Sequence, residues 1–298
     1  MDFVSEAKRL GVAVKRDVEG RLLTSFGSGG RVKYLLCPSS VRETAAVLKL
    51  LISYGVPYRV IGGGSNLLLP DEGYAGALVK PHLTGIGVCG GEVTADAGVK
   101  MPILSKLAAE KGLSGLEFAC GIPGTMGGAA KTNAGAFGQM LSNVLVEVIV
   151  LTRQGEVKSL PARHLKAGYH FCVLPKDCVV LCARLALQPD DAGAIKERMR
   201  RMKLRRRLTQ PGEPSAGSVF RRVGETPAAL YVEKTGLKGL RIGGAELSPK
   251  HCNFIVNKGG ATTSDYFAVA EQVKSRVFDA FGVSLTYEVE RICSPKSS

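Results

Sequence analysis

Three segments of the chain are dense in small residues of the kind that bind ligands. The first is Gly62-Gly63-Gly64-Ser65-Asn66, which follows a predicted strand at 58–62. Consecutive glycines let a backbone approach a ligand closely, and their N–H groups can surround an anion such as a pyrophosphate. The pattern is not GxGxxG and opens no evident helix, so it does not indicate a Rossmann site. A plain glycine turn is the alternative interpretation.

The second segment is the longest run of small residues in the sequence. It covers 121–128 (GIPGTMGG) and continues as 133–138 (NAGAFG). So many small side chains indicate backbone that lies against something flat or large, and a cofactor ring system is a natural candidate. The alternative is a tight crossing of two chain segments.

The third segment, 214–220 (PSAGSVF), places the hydroxyl of Ser218 where a loop ends and a strand starts. The segment contains no GxSxG sequence and the whole chain has only four histidines, which leaves a hydrolase triad unsupported. A purely structural serine is the alternative to a catalytic one.

Alternating helix and strand patterns surround these segments and predict an α/β or α+β protein. Ser40 and Glu43 predict a capping box at a helix start. The predicted strands are 32–39, 58–62, 76–80, 92–98, 144–152, 156–160, 178–187, 253–257 and 284–292. The other predicted helices are 102–111, 195–208, 227–235 and 263–281. A boundary near 189–193 and the change of texture near residue 75 divide the chain into 1–73, 74–192 and 193–298.

The net charge favours anionic ligands and does not by itself choose among them. The 298 residues carry a net charge of +14, which raises the local concentration of anions such as nucleotide sugars or nucleic acid. The basic run at 198–207 is interpreted as a solvated helix rather than a nucleic-acid surface, since no nucleic-acid motif accompanies it. The eight cysteines fit no zinc spacing, so we expect reduced, buried thiols and no metal. We also expect a cytoplasmic protein without signal peptide, membrane span or obligate protein partner.

Four ordered motifs resemble one enzyme family. They are GGGSNLLL, GIPGTMGGAAKTNAGAFG, QPGEPSAGSVF and TGLKGLRIGGAELSPKHCNFIVN. Together they resemble the UDP-N-acetylenolpyruvoylglucosamine reductase (MurB) family, in its shorter type II branch, from about Ser25 to Ile292. The resemblance implies an α+β protein. Residues 1–73 and 74–192 would form the two subdomains of an FAD-binding fold of the MurB/vanillyl-alcohol-oxidase type, and 193–298 an α/β substrate-binding domain.

The resemblance also implies the chemistry and the cofactor site. NADPH would reduce FAD, and reduced FAD would pass hydride to UDP-N-acetylglucosamine enolpyruvate, giving UDP-N-acetylmuramate for peptidoglycan. The implied FAD contacts are Gly62, Gly63, Gly64, Ser65, Asn66, Gly121, Ile122, Pro123, Gly124, Gly127, Gly128, Asn133, Ala134 and Gly135.

The catalytic residues come from the same resemblance. Ser218 stands at the position of the family's proton donor, and Glu288 at that of a glutamate acting on the substrate carboxylate. Tyr169 and His251 are the implied substrate contacts. The family's catalytic arginine would follow Tyr169, but His170 stands there.

Histidine at position 170 changes the electrostatics that the family pattern implies. An arginine is permanently charged and forms a bidentate fork with a carboxylate, whereas a histidine is only partly charged near neutral pH. His170 could be held protonated by the substrate, or one of the pair Arg221 and Arg222, which replace the family's asparagine-proline, could supply the charge. The segment 26–30 (FGSGG) also differs from the sequence that the family has near its start. A different FAD oxidoreductase, or a flavin-binding or nucleotide-sugar-binding paralogue without turnover, is the alternative function.

Overall fold

The computed structural model describes residues 3–168 and 171–294 and contains both helices and strands. The helices are α1 (Phe3–Arg9), α2 (Val41–Ser53), α3 (Met101–Glu110), α4 (Met126–Thr132), α5 (Ala192–Thr209), α6 (Ala228–Lys234) and α7 (Thr263–Phe281). The strands are β1 (Ala13–Glu19), β2 (Arg31–Cys37), β3 (Tyr58–Val60), β4 (Leu67–Leu68), β5 (Tyr74–Val79), β6 (Ile86–Cys89), β7 (Glu92–Asp96), β8 (Leu113–Ser114), β9 (Gly135–Ala136), β10 (Gln139–Met140), β11 (Leu145–Leu151), β12 (Val157–Pro161), β13 (Ala167–Gly168), β14 (Phe171–Cys172), β15 (Val179–Ala186), β16 (Gln188–Pro189), β17 (Ser215–Ser218), β18 (Arg241–Ile242), β19 (Ala245–Leu247), β20 (Phe254–Asn257) and β21 (Glu290–Arg291).

The chain forms two compact units, each made of three chain segments. Unit 1 contains 1–15, 35–63 and 78–206, and unit 2 contains 16–34, 64–77 and 207–298. A four-stranded sheet has the order β1-β2-β5-β3. The division at residues 73 and 192 expected from sequence texture stays a prediction.

Unit 1 contains a five-stranded sheet in the order β12-β11-β15-β7-β6. All its neighbouring strands are antiparallel. Helices α3 and α4 pack on it, and their apolar side chains form one core with the sheet. Strands β11 and β12 form a hairpin that pairs from Leu151↔Val157 onward, and Gln154 and Gly155 lie in its turn. Gly155 has a φ of 86°, which favours glycine in such a turn.

Unit 2 is built on a sheet of order β17-β20-β19-β18, against which α7 packs. Strand β21 pairs in parallel with β4. The bounds predicted for α7 are confirmed. Thr262 and Asp265 form a capping box at its start, and Gly282, with a φ of 67°, ends it in the left-handed region.

Two predictions of local structure were wrong in detail. The side chain of Ser40 caps α2 as expected, but the Glu43 carboxylate accepts from the backbone N–H of Ser39 and not of Ser40. The strand predicted over 284–292 is regular only at β21. Upstream of it, single backbone bonds and one bridge, Phe220↔Tyr287, replace a continuous ladder.

The described part of the chain also bears on the expectations about membrane spans, metal sites and cysteines. None of its helices combines the length and apolar character that crossing a membrane requires. Within the same residues, His, Cys, Asp and Glu form no group of three or more that could hold a metal ion. All eight cysteines are free thiols, but the expectation that they are buried was wrong for Cys89 and Cys293, which are exposed. Cys120 and Cys252 are buried, and burial raises the pKa of both thiols.

Candidate functional site

In unit 1, the start of the first glycine segment lies directly against the second. A Cβ placed on Gly63 would stand 2.9 Å from Cα of Gly124. A Cβ on Gly62 would stand 2.7 Å from Oγ1 of Thr125. At Gly63 the two backbones approach so closely that no side chain larger than hydrogen fits between them. The two motifs, which are separate in the sequence, therefore form one surface.

Thr125 supplies a polar group to this surface. Its Oγ1 atom is buried and has no hydrogen-bond partner among the residues that the structure describes. A buried hydroxyl left without a partner costs roughly 1–3 kcal/mol, so such groups call for a bound partner. A phosphate oxygen or a flavin polar atom would satisfy it. Gly62, Gly63 and Gly124 form what is called here the glycine cradle. This cradle and the Thr125 hydroxyl fit FAD, and these four residues would hold it.

Replacing Gly63 with alanine should weaken FAD binding by about tenfold or more, or ~1.4 kcal/mol. The added methyl group would meet the backbone of Gly124, which cannot rotate away as a flexible side chain would. The measurement is the FAD dissociation constant from flavin fluorescence. Gly87→Ala is the matched control in the same unit, since its nearest neighbour is Thr94 Cβ at 4.0 Å. Equal affinity in the Gly63 variant and the control would contradict this account of the cradle.

Several other predicted cofactor residues pack within unit 1. A Cβ on Gly127 would lie 2.9 Å from Cβ of Ala97, and one on Gly135 would lie 2.5 Å from the Gln139 carbonyl oxygen. These two glycines permit close packing of the chain against itself. The remaining predicted residues of this stretch are Gly121 at the end of a 3-10 turn, Ile122 and Pro123 in the loop that follows, Gly128 within α4, and Ala134 directly before β9.

Asn133 is tied to neighbouring loops through its side chain. Asn133 is buried at the end of α4, and its backbone lies in the left-handed region with a φ of 47°. Its amide donates to the Gly168 carbonyl at 2.7 Å and to Ser142 Oγ at 3.1 Å, and its Oδ1 accepts from Ser142 N at 2.8 Å. Its predicted cofactor contact stays a prediction, and any such contact must come from an atom that these bonds leave available.

Unit 2 brings the segments of Ser218 and Glu288 together. Ser218 ends β17 opposite Phe254, and the N–H of Glu288 donates to the Val219 carbonyl at 2.9 Å. The two residues therefore stand on adjoining extended segments, one position apart in register. Both are partly exposed, and the Ser218 hydroxyl makes no hydrogen bond to the described residues. A hydroxyl in this state can donate to a ligand.

The second half of the first glycine segment also reaches Glu288. The amide of Asn66 donates to the Glu288 carbonyl at 3.1 Å, and the Asn66 carbonyl accepts from Glu290 N at 3.0 Å. Gly64 has a φ of 69° and a Cβ there would overlap the Leu23 carbonyl, so glycine is required. Ser65 lies between Gly64 and Asn66 in the sequence and is partly exposed. Asn66 consequently fixes the backbone of a predicted catalytic residue, a role that the sequence did not reveal.

His251 is half-buried and already makes one hydrogen bond. Its Nδ1 accepts from the backbone N–H of Asn253 at 3.2 Å, and its ring packs edge-on against Phe254. Burial lowers the pKa of His251, helped by the nearby charge of Lys238. Both observations favour the neutral imidazole. Contact with substrate stays a prediction, and only Nε2 remains for it.

Tyr169 and His170, predicted to act on the substrate, lie outside the described residues. Of the residues that do belong to the structure, Thr125 and Asn253 were not selected from the sequence as site residues. Thr125 lies inside the motif GIPGTMGG, and its only signal in the sequence is a lone hydroxyl among glycines.

The chain is an FAD-binding protein. Residues 32–160 match the model of the FAD binding domain, and residues 210–292 match that of the UDP-N-acetylenolpyruvoylglucosamine reductase C-terminal domain. The chain is 40% identical over 282 residues to the UDP-N-acetylenolpyruvoylglucosamine reductase of Geobacillus kaustophilus, covering 94% of this chain and 93% of that one. The enzyme of the same name from Rubrobacter xylanophilus is 39% identical, covering 97% and 98%.

A solved structure agrees with the sequence relatives. The crystal structure of UDP-N-acetylenolpyruvylglucosamine reductase (MurB) from Thermus caldophilus matches with a TM-score of 0.83 and 32% identity, covering 95% of this chain and 100% of that one. The chain belongs to the UDP-N-acetylenolpyruvoylglucosamine reductase family. The predicted family, its α+β class with an FAD-binding fold followed by a C-terminal domain, and the FAD cofactor are confirmed.

Proposed function

We propose that this chain reduces the enolpyruvyl group of UDP-N-acetylglucosamine enolpyruvate to UDP-N-acetylmuramate, with NADPH as reductant and FAD as cofactor, in peptidoglycan precursor synthesis. The observation that carries the proposal is the joining of the Ser218 and Glu288 segments, through the bond from Glu288 N to Val219 O, inside the domain that matches the reductase C-terminal model. Cytoplasmic location belongs to the proposal, because NADPH and nucleotide sugars are cytoplasmic metabolites.

Bound FAD supplies hydride chemistry, and the chain's own residues must handle the proton and the charge. Reduction adds hydride at the β-carbon of an enol ether conjugated with a carboxylate, so negative charge develops at the α-carbon and the carboxylate oxygens. The Ser218 hydroxyl, unbonded among the described residues, gives the proton to the α-carbon. The Glu288 carboxyl can donate a hydrogen bond to the substrate carboxylate only in its protonated form.

The remaining requirement is positive charge near that carboxylate. Arg221 is one source: its backbone N–H donates to the Thr286 carbonyl and its Nε to the Tyr287 carbonyl at 3.1 Å, which tethers it beside Glu288. The guanidinium keeps further N–H groups for an anion. Arg222 lies 3.9 Å from the Glu225 carboxylate, which partly neutralises its charge. His170 is the other source.

The experiment that tests the proposal follows flavin absorbance in two anaerobic steps. NADPH is added first, and UDP-N-acetylglucosamine enolpyruvate second. Bleaching followed by rapid return of the oxidised spectrum, with formation of UDP-N-acetylmuramate, is the expected result. A flavin that stays reduced with substrate bound would overturn the reductase proposal. It would favour a binding paralogue or an oxidoreductase that uses another acceptor.

A pH series distinguishes His170 from Arg221. If His170 supplies the charge, the reoxidation rate should fall as pH rises through the histidine pKa, about 6.5 when unperturbed. His170→Arg should then hold that rate nearly constant through the same window, because arginine stays protonated. Arg221→Met is the complementary variant. A wild-type rate that is constant with pH, together with a large loss in Arg221→Met, would assign the charge to Arg221 instead.

A further inference from the structure

Asn253 uses three of its four polar groups to hold the segment that follows Ser218, and the fourth bonds His251. Its carbonyl accepts from Val219 N at 2.9 Å. Its Oδ1 accepts from Phe220 N at 3.0 Å, while its Nδ2 donates to the Phe220 carbonyl at 2.9 Å. Its own N–H donates to His251 Nδ1. The residue is 7% exposed, so these bonds form in a largely dry environment and are stronger there than in water.

The side chain of Asn253 replaces a backbone partner that the sheet does not provide. Strand β20 begins at Phe254, and its ladder with β17 ends at the pair Ser218↔Phe254. Beyond that pair, Phe220 has a buried N–H and carbonyl but no strand residue opposite them. A side-chain amide can present an N–H donor and a carbonyl acceptor to the same neighbour, as the N–H and C=O of one residue do in an antiparallel strand pair. Asn253 therefore continues the hydrogen bonding past Ser218 to Val219 and Phe220.

The other edge of this segment is held from the Glu288 side. Glu288 N donates to the Val219 carbonyl, and Arg221 N donates to the Thr286 carbonyl. The segment 219–221 is therefore hydrogen-bonded along both of its edges. On the edge that faces β20, Asn253 makes every backbone bond that residues 219–220 have with the described part of the chain. A shift of this segment would displace the Ser218 hydroxyl from the carbon that it must protonate.

We propose that Asn253 is a positioning residue for Ser218, acting through the backbone of Phe220. This inference rests on the proposed function, in which Ser218 is the proton donor. Loss of the Asn253 amide should leave NADPH reduction of the flavin unchanged and slow reoxidation by UDP-N-acetylglucosamine enolpyruvate by about 10- to 100-fold, the effect of a displacement near 1 Å. Binding of the substrate should change little, so the effect falls on kcat rather than on KM.

The informative variant is Asn253→Asp, because its hydrogen-bonding pattern depends on pH. An ionised carboxylate accepts from Phe220 N but faces the Phe220 carbonyl with a second acceptor, which raises its pKa above the usual ~3.9. A protonated carboxyl donates to that carbonyl and restores the asparagine pattern. The ratio of variant to wild-type reoxidation rate should therefore rise as pH falls. In Asn253→Ala the same ratio should be low and constant with pH.

Asn257→Asp is the matched control. Asn257 ends strand β20, which Asn253 directly precedes. Its side chain also bonds backbone groups only: Nδ2 donates to the Phe26 carbonyl at 2.9 Å, and Oδ1 accepts from the N–H groups of Gly259 and Ala261. This variant should lose stability in a similar way. It should not acquire the pH-dependent ratio, because its bonds do not reach the Ser218 segment.

Hydrogen exchange over the peptide 215–221 gives a readout that needs no turnover. We expect faster exchange at Phe220 in Asn253→Ala than in wild type, and wild-type exchange there in Asn257→Asp. Unchanged exchange, or a pH-independent ratio near one for Asn253→Asp, would overturn the positioning role. If Asn253→Asp does not fold, Asn253→Ala decides by exchange and by its kcat. A wild-type protein that never reoxidises its flavin would instead overturn the proposed function, while exchange would still report whether Asn253 holds the segment.

Discussion

Replacing Ser218 with alanine should leave reduction of the flavin by NADPH intact and slow its reoxidation by UDP-N-acetylglucosamine enolpyruvate by ~10²- to 10⁴-fold, the usual contribution of a positioned general acid. The substitution removes one oxygen atom whose hydroxyl makes no hydrogen bond to the described residues, so the fold should lose little. Stopped-flow absorbance of the two half-reactions measures both rates on the same sample.

Ser215→Ala is the matched control for this loss. Ser215 begins the strand that Ser218 ends, and its carbonyl accepts from Ser25 Oγ at 2.6 Å. That bond uses the backbone and survives the substitution, so both half-reactions should run at wild-type rates. Equal reoxidation rates in the two serine variants would show that Ser218 is not the proton donor. A loss in the first half-reaction of Ser218→Ala would point to damage at the flavin instead.

The predictions of local structure were reliable where adjacent residues decide the conformation. Helix α7 was predicted over 263–281 because its apolar periodicity is regular and Gly282 follows it, and the structure has those bounds. Helix α4 was missed, since Gly127 and Gly128 lower its intrinsic propensity. It forms because tertiary packing outweighs propensity, with Gly127 lying against Ala97.

Long-range partners account for what the sequence did not reveal. The strand expected over 284–292 is broken because its backbone bonds go to residues such as Asn66 and Val219, which no local pattern identifies. In the candidate site, the motifs identified the family and the residue types at Ser218 and Glu288. The bonds of Asn253 to Phe220, 33 positions away, follow from where β20 starts, and residue spacing does not predict that point.

A substitution in the basic helix α5 should have the other large effect, a loss of stability. Glu117 is 4% exposed and its Oε1 accepts from Arg198 Nη2 at 2.8 Å, while its Oε2 accepts from Gly115 N at 2.7 Å. Arg198 also lies 2.5 Å from the Asp190 carboxylate. Burial acts to raise the pKa of Glu117, but the bonds from Arg198, Gly115 and Ser114 outweigh it, so that pKa lies below its ordinary value.

Arg198→Met should lower the free energy of unfolding by about 3 kcal/mol at neutral pH, because it leaves the Glu117 carboxylate buried without its cation. This is the lower end of the usual range, since the Arg198 side chain is 39% exposed and water screens part of the charge. The measurement is urea denaturation. Arg200→Met, which removes only an exposed bond to Glu197 on the same helix, should change stability little.

The pH dependence of that difference identifies its cause. In the wild-type protein the lowered pKa of Glu117 contributes stability above the unfolded-state pKa of about 4.3, and this contribution is lost as pH falls through the folded-state pKa. In Arg198→Met burial would dominate and raise the pKa of Glu117, so the carboxyl would take up a proton at higher pH. The stability difference between the two proteins should therefore shrink as pH falls. A difference that stayed constant down to acid pH would mean that Arg198 acts through packing of its stem, and that the buried charge of Glu117 is not what ties α5 to unit 1.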